Sequence, residues 1–307
     1  MRVAGVTQPR RVPDEPTTFA VCRRVQDRQF LLRPDAVFTA MVTWLLAACA
    51  VLFDVQVHCA TVMSTHVHLV VTVSDQRISE FMQHFIANLA KAVSVLRRLR
   101  RGIVFEPGGL NIVECKTLDA VVYELAYCIV NPVAAGLVWR PEEWPGLCVL
   151  VDDLGGGALE GARPGFYFRA RTWAQRAVLR LTWPPCLLAL GEDEARRLVA
   201  EEVARQLAEA HADIEAKGWS VLGPVAARNA SPFKRAKTWE TFGSLHPNFA
   251  TGPGRVEERI EAAIELREFR QQYRACWQRY VAGETDVVWP YGTYLMRRRH
   301  GVRVAEP

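Results

Sequence analysis

Eight cysteines are spread over the 307 residues, and no two of them form a C-x-x-C pair. That absence argues against a zinc site, and the expectation is reduced, mostly buried thiols in a cytoplasmic protein. No Walker-type G-x-x-x-x-G-K-[ST] loop is present, which argues against nucleotide-driven chemistry. The polar start MRVAGVTQPRRVPDE lacks the apolar stretch of a secretory signal. No internal repeat is visible. Charge of one sign is also scarce: 38 basic against 33 acidic residues leave a formal net charge of +5. Such an excess permits a polyanionic partner without demanding one. One long uncharged run stands out, from Ala36 to Phe53, closed by Asp35 and Asp54. Its alanine and threonine content and abrupt charged ends predict a helix buried on a sheet, with no membrane partner.

Half of the residues are hydrophobic, enough for a sizeable core. The glycine-rich, unpatterned stretch VDDLGGGALEGARPG (151–165) reads as a linker. It divides a first domain (1–150) from a mainly helical accessory region (166–307). In the first domain TTFAVCRRV (17–25) reads as a strand, followed by the apolar helix at 36–53. VQVHCATV (55–62) and HVHLVVTV (66–73) are β-rich and joined by MST, which predicts a hairpin. Ser74 and Asp75 offer a cap for a helix whose apolar residues, from Ile78 to Leu96, recur at helical spacing. LNIVE (110–114) is a short strand candidate, and a last helix runs from Leu118 to about Asn131, where Pro132 stops it. The order β-α-β-β-α-β-α predicts an α+β fold: a central antiparallel sheet flanked by helices, ferredoxin-like in layout. Beyond 165, residues 192–218 and 255–281 read as amphipathic helices, with a turn-rich loop at 231–254.

In MSTHVHLV (63–70), alternation puts His66 and His68 on one face of a strand, about 7 Å apart. Two imidazoles on one face can hold a metal ion. His58, on the neighbouring strand, can face the same way. In YELAYCIVNPVAAGLV (123–138), Tyr127 and Asn131 stand four residues apart and share a helix face, with Tyr123 one turn earlier. An amide oxygen suits Mg²⁺ or Mn²⁺, and a phenol can serve as nucleophile.

MSTHVHLVV followed by YCIVNPVAAGLV resembles the single-tyrosine HUH transposases, and within them the REP-associated tyrosine transposase-like proteins. The resemblance covers roughly residues 8–150, including RRVQDRQFLLRPD, and more loosely FRQQYRACWQRY and VVWPYGTYLMRR near the end. It implies that His66, His68 and Asn131 hold a divalent ion, Mg²⁺ or Mn²⁺, and that Tyr127 is the nucleophile. Tyr123 falls outside the motif and reads as structural. Thr65 departs from the pattern, standing where asparagine is usual.

The implied activity is metal-dependent cleavage and rejoining of single-stranded or hairpin DNA through a 5′-phosphotyrosine link. Arg97, Arg98, Arg100 and Arg101, and at the other end Arg297, Arg298, Arg299 and Arg303, are candidate phosphate contacts. Arg10, Arg11, Arg23 and Arg24 are weaker ones. The implied location is the cytoplasm, on the nucleoid when DNA is bound, as monomer or homodimer. Two other readings stand beside this one: a domesticated DNA-binding protein with a dead site, and a metal-dependent hydrolase unrelated to DNA. The H-x-H-x-H motif of histidine-triad hydrolases is broken here by Val70.

Overall fold

The computed structural model describes residues 9–100, 103–237 and 248–307. Its first half runs β1 (Thr17–Val25), α1 (Ala36–Phe53), β2 (Gln56–Val62), β3 (His66–Val73), α2 (Ile78–Leu96), β4 (Phe105–Cys115) and α3 (Leu118–Ala134). Its second half runs β5 (Ala158–Ala162), β6 (Arg176–Arg180), α4 (Pro185–Leu188), α5 (Glu192–Ala216), α6 (Pro224–Asn229), β7 (Phe249–Ala250), α7 (Val256–Val281), β8 (Val288–Trp289), α8 (Tyr294–His300) and β9 (Arg303–Val304).

The central sheet has the order β2-β3-β1-β4-β7. Its pairings are antiparallel except for the short parallel contact of β7 with β4, so the sheet is mixed. In the β1–β3 register Thr17 faces Val73 and Arg24 faces His66, which fixes which end of the sheet carries the histidines.

Helix α1 is long and apolar enough to cross a membrane by length and composition, and half of it is buried within the structure. It packs against α2, β5 and β6. Trp44, fully buried, meets Phe168 edge-on at 4.8 Å and Trp173 at 5.4 Å between ring centroids. Strand β5 comes so close to this helix that a Cβ at Gly161 would lie 2.8 Å from that of Trp44. Asp35 caps α1 by accepting from the Phe38 amide at 3.0 Å, and Thr117 caps α3 by accepting from Ala120 at 3.1 Å.

Several elements differ from the sequence reading. Helix α3 passes through Pro132 and ends two residues later, at Ala134: the proline forfeits only its own amide bond, and beyond it Ala135 still donates to Asn131 at 3.0 Å. A glycine closes it: Gly136, with φ of 65°, donates to Val133, and Leu137 donates to Pro132. Helix α2 begins at Ile78 without a side-chain cap. The stretch 151–165 holds a 3-10 turn and strand β5. The second half is helical in α5 and α7, yet it also contributes β5–β6 and β8–β9 pairs. One continuous core reaches from Val12 to Tyr294, and a small second cluster gathers Cys276, Val287, Trp289 and Met296.

Candidate functional site

Alternation along β3 puts His66, His68, Val70 and Thr72 on one face of the sheet. On β1 the residues paired with His66 and His68 are Arg24 and Cys22. Helix α3 lies against β2, β3 and β4 and brings Tyr127 and Asn131 to the histidines. Val121, Leu125, Cys128 and Ile129 are buried, which fixes the helix's rotation. With that stripe inward, Tyr127 is left at the rim, 36% exposed, and Asn131 is buried at 6%.

The polar atoms converge. His66 Nε2 lies 3.1 Å from Asn131 Oδ1, and His68 Nε2 lies 3.5 Å from Asn131 Nδ2. The two imidazole rings are 4.7 Å apart, and the Tyr127 ring stands edge-on to His68 at 5.4 Å. Tyr123 lies parallel to Tyr127 at 6.4 Å. Thr65 Oγ1 is 2.8 Å from His66 Nδ1. With the ring protonated on Nε2, that nitrogen donates to Asn131 and the threonine hydroxyl donates to Nδ1. With the ring protonated on Nδ1, the hydroxyl accepts and the Nε2 lone pair is turned toward Asn131.

Burial pushes the His68 imidazole well below its ordinary pKa, and the charges of His66 and Arg24 push it further the same way. A neutral imidazole is the form that binds metal. Adjacent ligands of an octahedral ion at about 2.1 Å stand about 3 Å apart, which matches the His66–Asn131 spacing. Among the described residues no group of three or more His, Cys, Asp or Glu side chains is placed to hold a metal. The donor set is therefore two imidazoles and an amide oxygen, with no carboxylate or thiolate among them. An ion held by them would keep its full charge and its remaining positions for water or an anionic oxygen.

Two further groups were not legible from the motif. Cys22 Sγ approaches His68 Nε2 at 3.9 Å; only the β1–β3 pairing places it there. Glu124, one turn before Tyr127, has its carboxyl raised by burial to about 7.

The other candidates fall elsewhere. His58 is an extra residue at the β2 irregularity, fully buried. Its Nδ1 donates to the Thr182 carbonyl at 2.7 Å and its Nε2 accepts from Thr72 at 2.8 Å, so both nitrogens are taken. Burial lowers its pKa to about 4. Arg97 is a correction: its side chain is buried, bonded to the Leu31 and Arg33 carbonyls and paired with Asp35 at 2.6 Å. Folded back on the cap of α1, it has no surface to offer a phosphate. Arg98 and Arg100 are exposed, and Arg101 lies outside the described residues. Arg297, Arg298 and Arg299 are exposed on α8, but Arg297 bonds Gln76 at 2.8 Å and Asp14 at 3.3 Å, and Arg298 stands 3.7 Å from Glu80. Those partners lie near Val73 and Thr17, the end of the sheet away from His66, about 23 Å along β3. The C-terminal arginines are therefore not part of the histidine–tyrosine cluster.

No protein-family model matches the chain, and no curated protein sequence matches it. Among solved structures it is similar to a REP-associated tyrosine transposase bound to a REP hairpin, at 17% sequence identity and a TM-score of 0.38. That match covers 46% of this chain and 81% of the other, and the likeness is distant.

Proposed function

We propose that this chain cuts and rejoins single-stranded DNA through a covalent tyrosine link, as a single-tyrosine HUH transposase-like strand transferase acting on hairpin-forming repeats. The observation that carries the proposal is the convergence of His66, His68 and Asn131 within hydrogen-bond reach, beside a Tyr127 phenol at the protein surface. The paired motifs around these residues support the same reading, and so does the strand order β2-β3-β1-β4, which suits a ferredoxin-like layout.

In this reading the Tyr127 oxygen attacks the scissile phosphorus. The bond formed is tyrosyl O–P; the bond broken is the one to the 3′ oxygen, which leaves and takes up a proton. The products are a 5′-phosphotyrosine and a free 3′-OH. Attack by a second 3′-OH reverses the step and rejoins strands, so no outside energy source is needed. His66, His68 and Asn131 would hold a Mg²⁺ or Mn²⁺ ion, which would supply charge stabilisation at the scissile phosphate. Thr65 orients His66, and Arg24, opposite it on β1, adds positive charge beside the site. The rim position of Tyr127 suits a flexible single strand better than a stiff duplex. Residues 1–150 carry the chemistry in this reading, 166–307 serve as an accessory region, and the protein works in the cytoplasm as monomer or homodimer.

The test is incubation with hairpin-bearing single-stranded DNA and Mn²⁺, followed by denaturing electrophoresis. A denaturation-resistant protein–DNA adduct is expected. Tyr127→Phe abolishes it while DNA binding persists, and His66→Ala abolishes cleavage while most binding remains. Binding without cleavage in the wild-type chain would instead support the dead-site reading. Equal cleavage by His66→Ala would remove the metal from the mechanism.

A further inference from the structure

An open groove of about 600 Å³ lies at the histidine end of the sheet, within the size range of ligand-binding clefts. It is lined by Gln29 and Leu31, by Arg98, Arg100 and Ile103, and by Phe233 from the second half of the chain. Backbone bonds tie these walls to the turn that precedes His66. Val25 donates to Thr65 at 2.8 Å, Leu32 to Ser64 at 3.1 Å, and Gln26 to Val104 at 2.9 Å. On the far wall Phe30 donates to Lys234 at 2.9 Å.

Two features of the groove need an explanation. Ile103 and Phe233 are 63% and 54% exposed, large apolar side chains turned to water on one concave surface. A single exposed apolar residue is ordinary, but here the two meet two exposed guanidiniums in the same groove. The flanking charges are also mostly basic: Arg28, Lys234 and Arg235, with Asp27 bound to Arg235 at 3.3 Å. A positive groove carrying an exposed aromatic ring complements a single nucleic-acid strand, whose bases offer a π-face and whose phosphates offer charge. A duplex buries those base faces and cannot use the ring.

Resting on the strand-transfer reading above, we propose that this groove holds an unpaired stretch of the DNA strand on its way to Tyr127. Phe233 stacks on a base, and Arg98 and Arg100 hold the neighbouring phosphates. Phe233 thus gives the second half of the chain a direct part in DNA recognition.

The test uses the full chain carrying Tyr127→Phe, so that binding is read without cleavage, and fluorescence anisotropy with an oligo-dT strand and with a duplex of equal length. Phe233→Ala is expected to weaken oligo-dT binding about 5- to 100-fold and to leave duplex binding nearly unchanged. Phe233→Trp should retain the affinity. Arg98→Ala and Arg100→Ala should each lower the salt slope of log K by about 0.7. Oligo-dT binding by Phe233→Ala at the parent affinity would overturn the proposal, as would equal losses on strand and duplex, or no oligo-dT binding by the parent. Adduct formation is scored separately, with Tyr127 restored and DNA saturating. Its absence in the wild type sinks strand transfer but leaves the groove result standing.

Discussion

In the proposed mechanism Thr65 sets which nitrogen His66 turns toward Asn131. Its hydroxyl lies 2.8 Å from His66 Nδ1, so it can accept a hydrogen bond from Nδ1–H, the tautomer that leaves the Nε2 lone pair free for an ion. Partners of this kind commonly change metal affinity by about 10- to 100-fold when removed. Thr65→Val, similar in shape but without the hydroxyl, should weaken Mn²⁺ binding by that factor, while Thr65→Ser should keep most of it. Calorimetric titration of the full chain checks this, and unchanged affinity in the valine variant would remove Thr65 from the site. The spacing of His66 and His68, and of Tyr127 and Asn131, was legible because strand and helix periods fix which side chains share a face. Arg97 was misread for a related reason. In RRLRR every arginine looks alike; which one folds back onto Asp35 depends on a contact 62 residues away.

At the scale of elements, α3 matters most, since it carries both Tyr127 and Asn131. The sheet supports one side of it and α5 packs along another. Gln206 on α5 donates to the Tyr123 carbonyl at 3.2 Å, and Val199 and Ile214 are buried. Ile214→Ala should cost about 2–5 kcal/mol of stability. It should also lower adduct yield at temperatures where the variant is still folded, because α3 loses part of its brace. Urea unfolding and adduct yield at 15 °C read the two effects; full yield with the expected stability loss would limit α5 to a purely structural role. The apolar stripe of α5 was visible in sequence, but its partner was not. Strand β5 was missed because ALEGA has no strong alternation and sits among glycines. The early part of β4 was missed because FEPGG reads as a turn; in the structure Gly108 takes φ of 71° and the β1–β4 register shifts nearby.

Across the whole molecule, the second half of the chain is packed into the first. Trp44 needs Phe168 and Trp173, and His58 needs Thr182. The burial of His58 makes global stability depend on pH. Its folded pKa is about 4, below the 6.5 of a free imidazole, so the unfolded chain binds the proton more readily between those values. The stabilisation is complete above pH 6.5 and falls away as the pH drops toward 4. The loss is about 3 kcal/mol at 1.36 kcal/mol per unit. Glu124, raised to about 7, gains stability over the same range, so the comparison is made in a Glu124→Gln background. There, urea midpoints at pH 7 and pH 4.5 should show most of the His58 loss; equal midpoints would mean that His58 is not held neutral in the fold.

The α+β class, the hairpin bearing the histidines and the helix bearing the tyrosine were all readable, since each is set by local periodicity. The union of the two halves in one core rests on long-range contacts, which no local pattern announces. The most direct measurement is mass spectrometry of peptides from the wild-type chain after reaction with hairpin-bearing single-stranded DNA and Mn²⁺. A nucleotide joined through its 5′-phosphate to the peptide's Tyr127 is the predicted result. No adduct on any repeat tried, or an adduct on the parallel ring of Tyr123 in place of Tyr127, would contradict it.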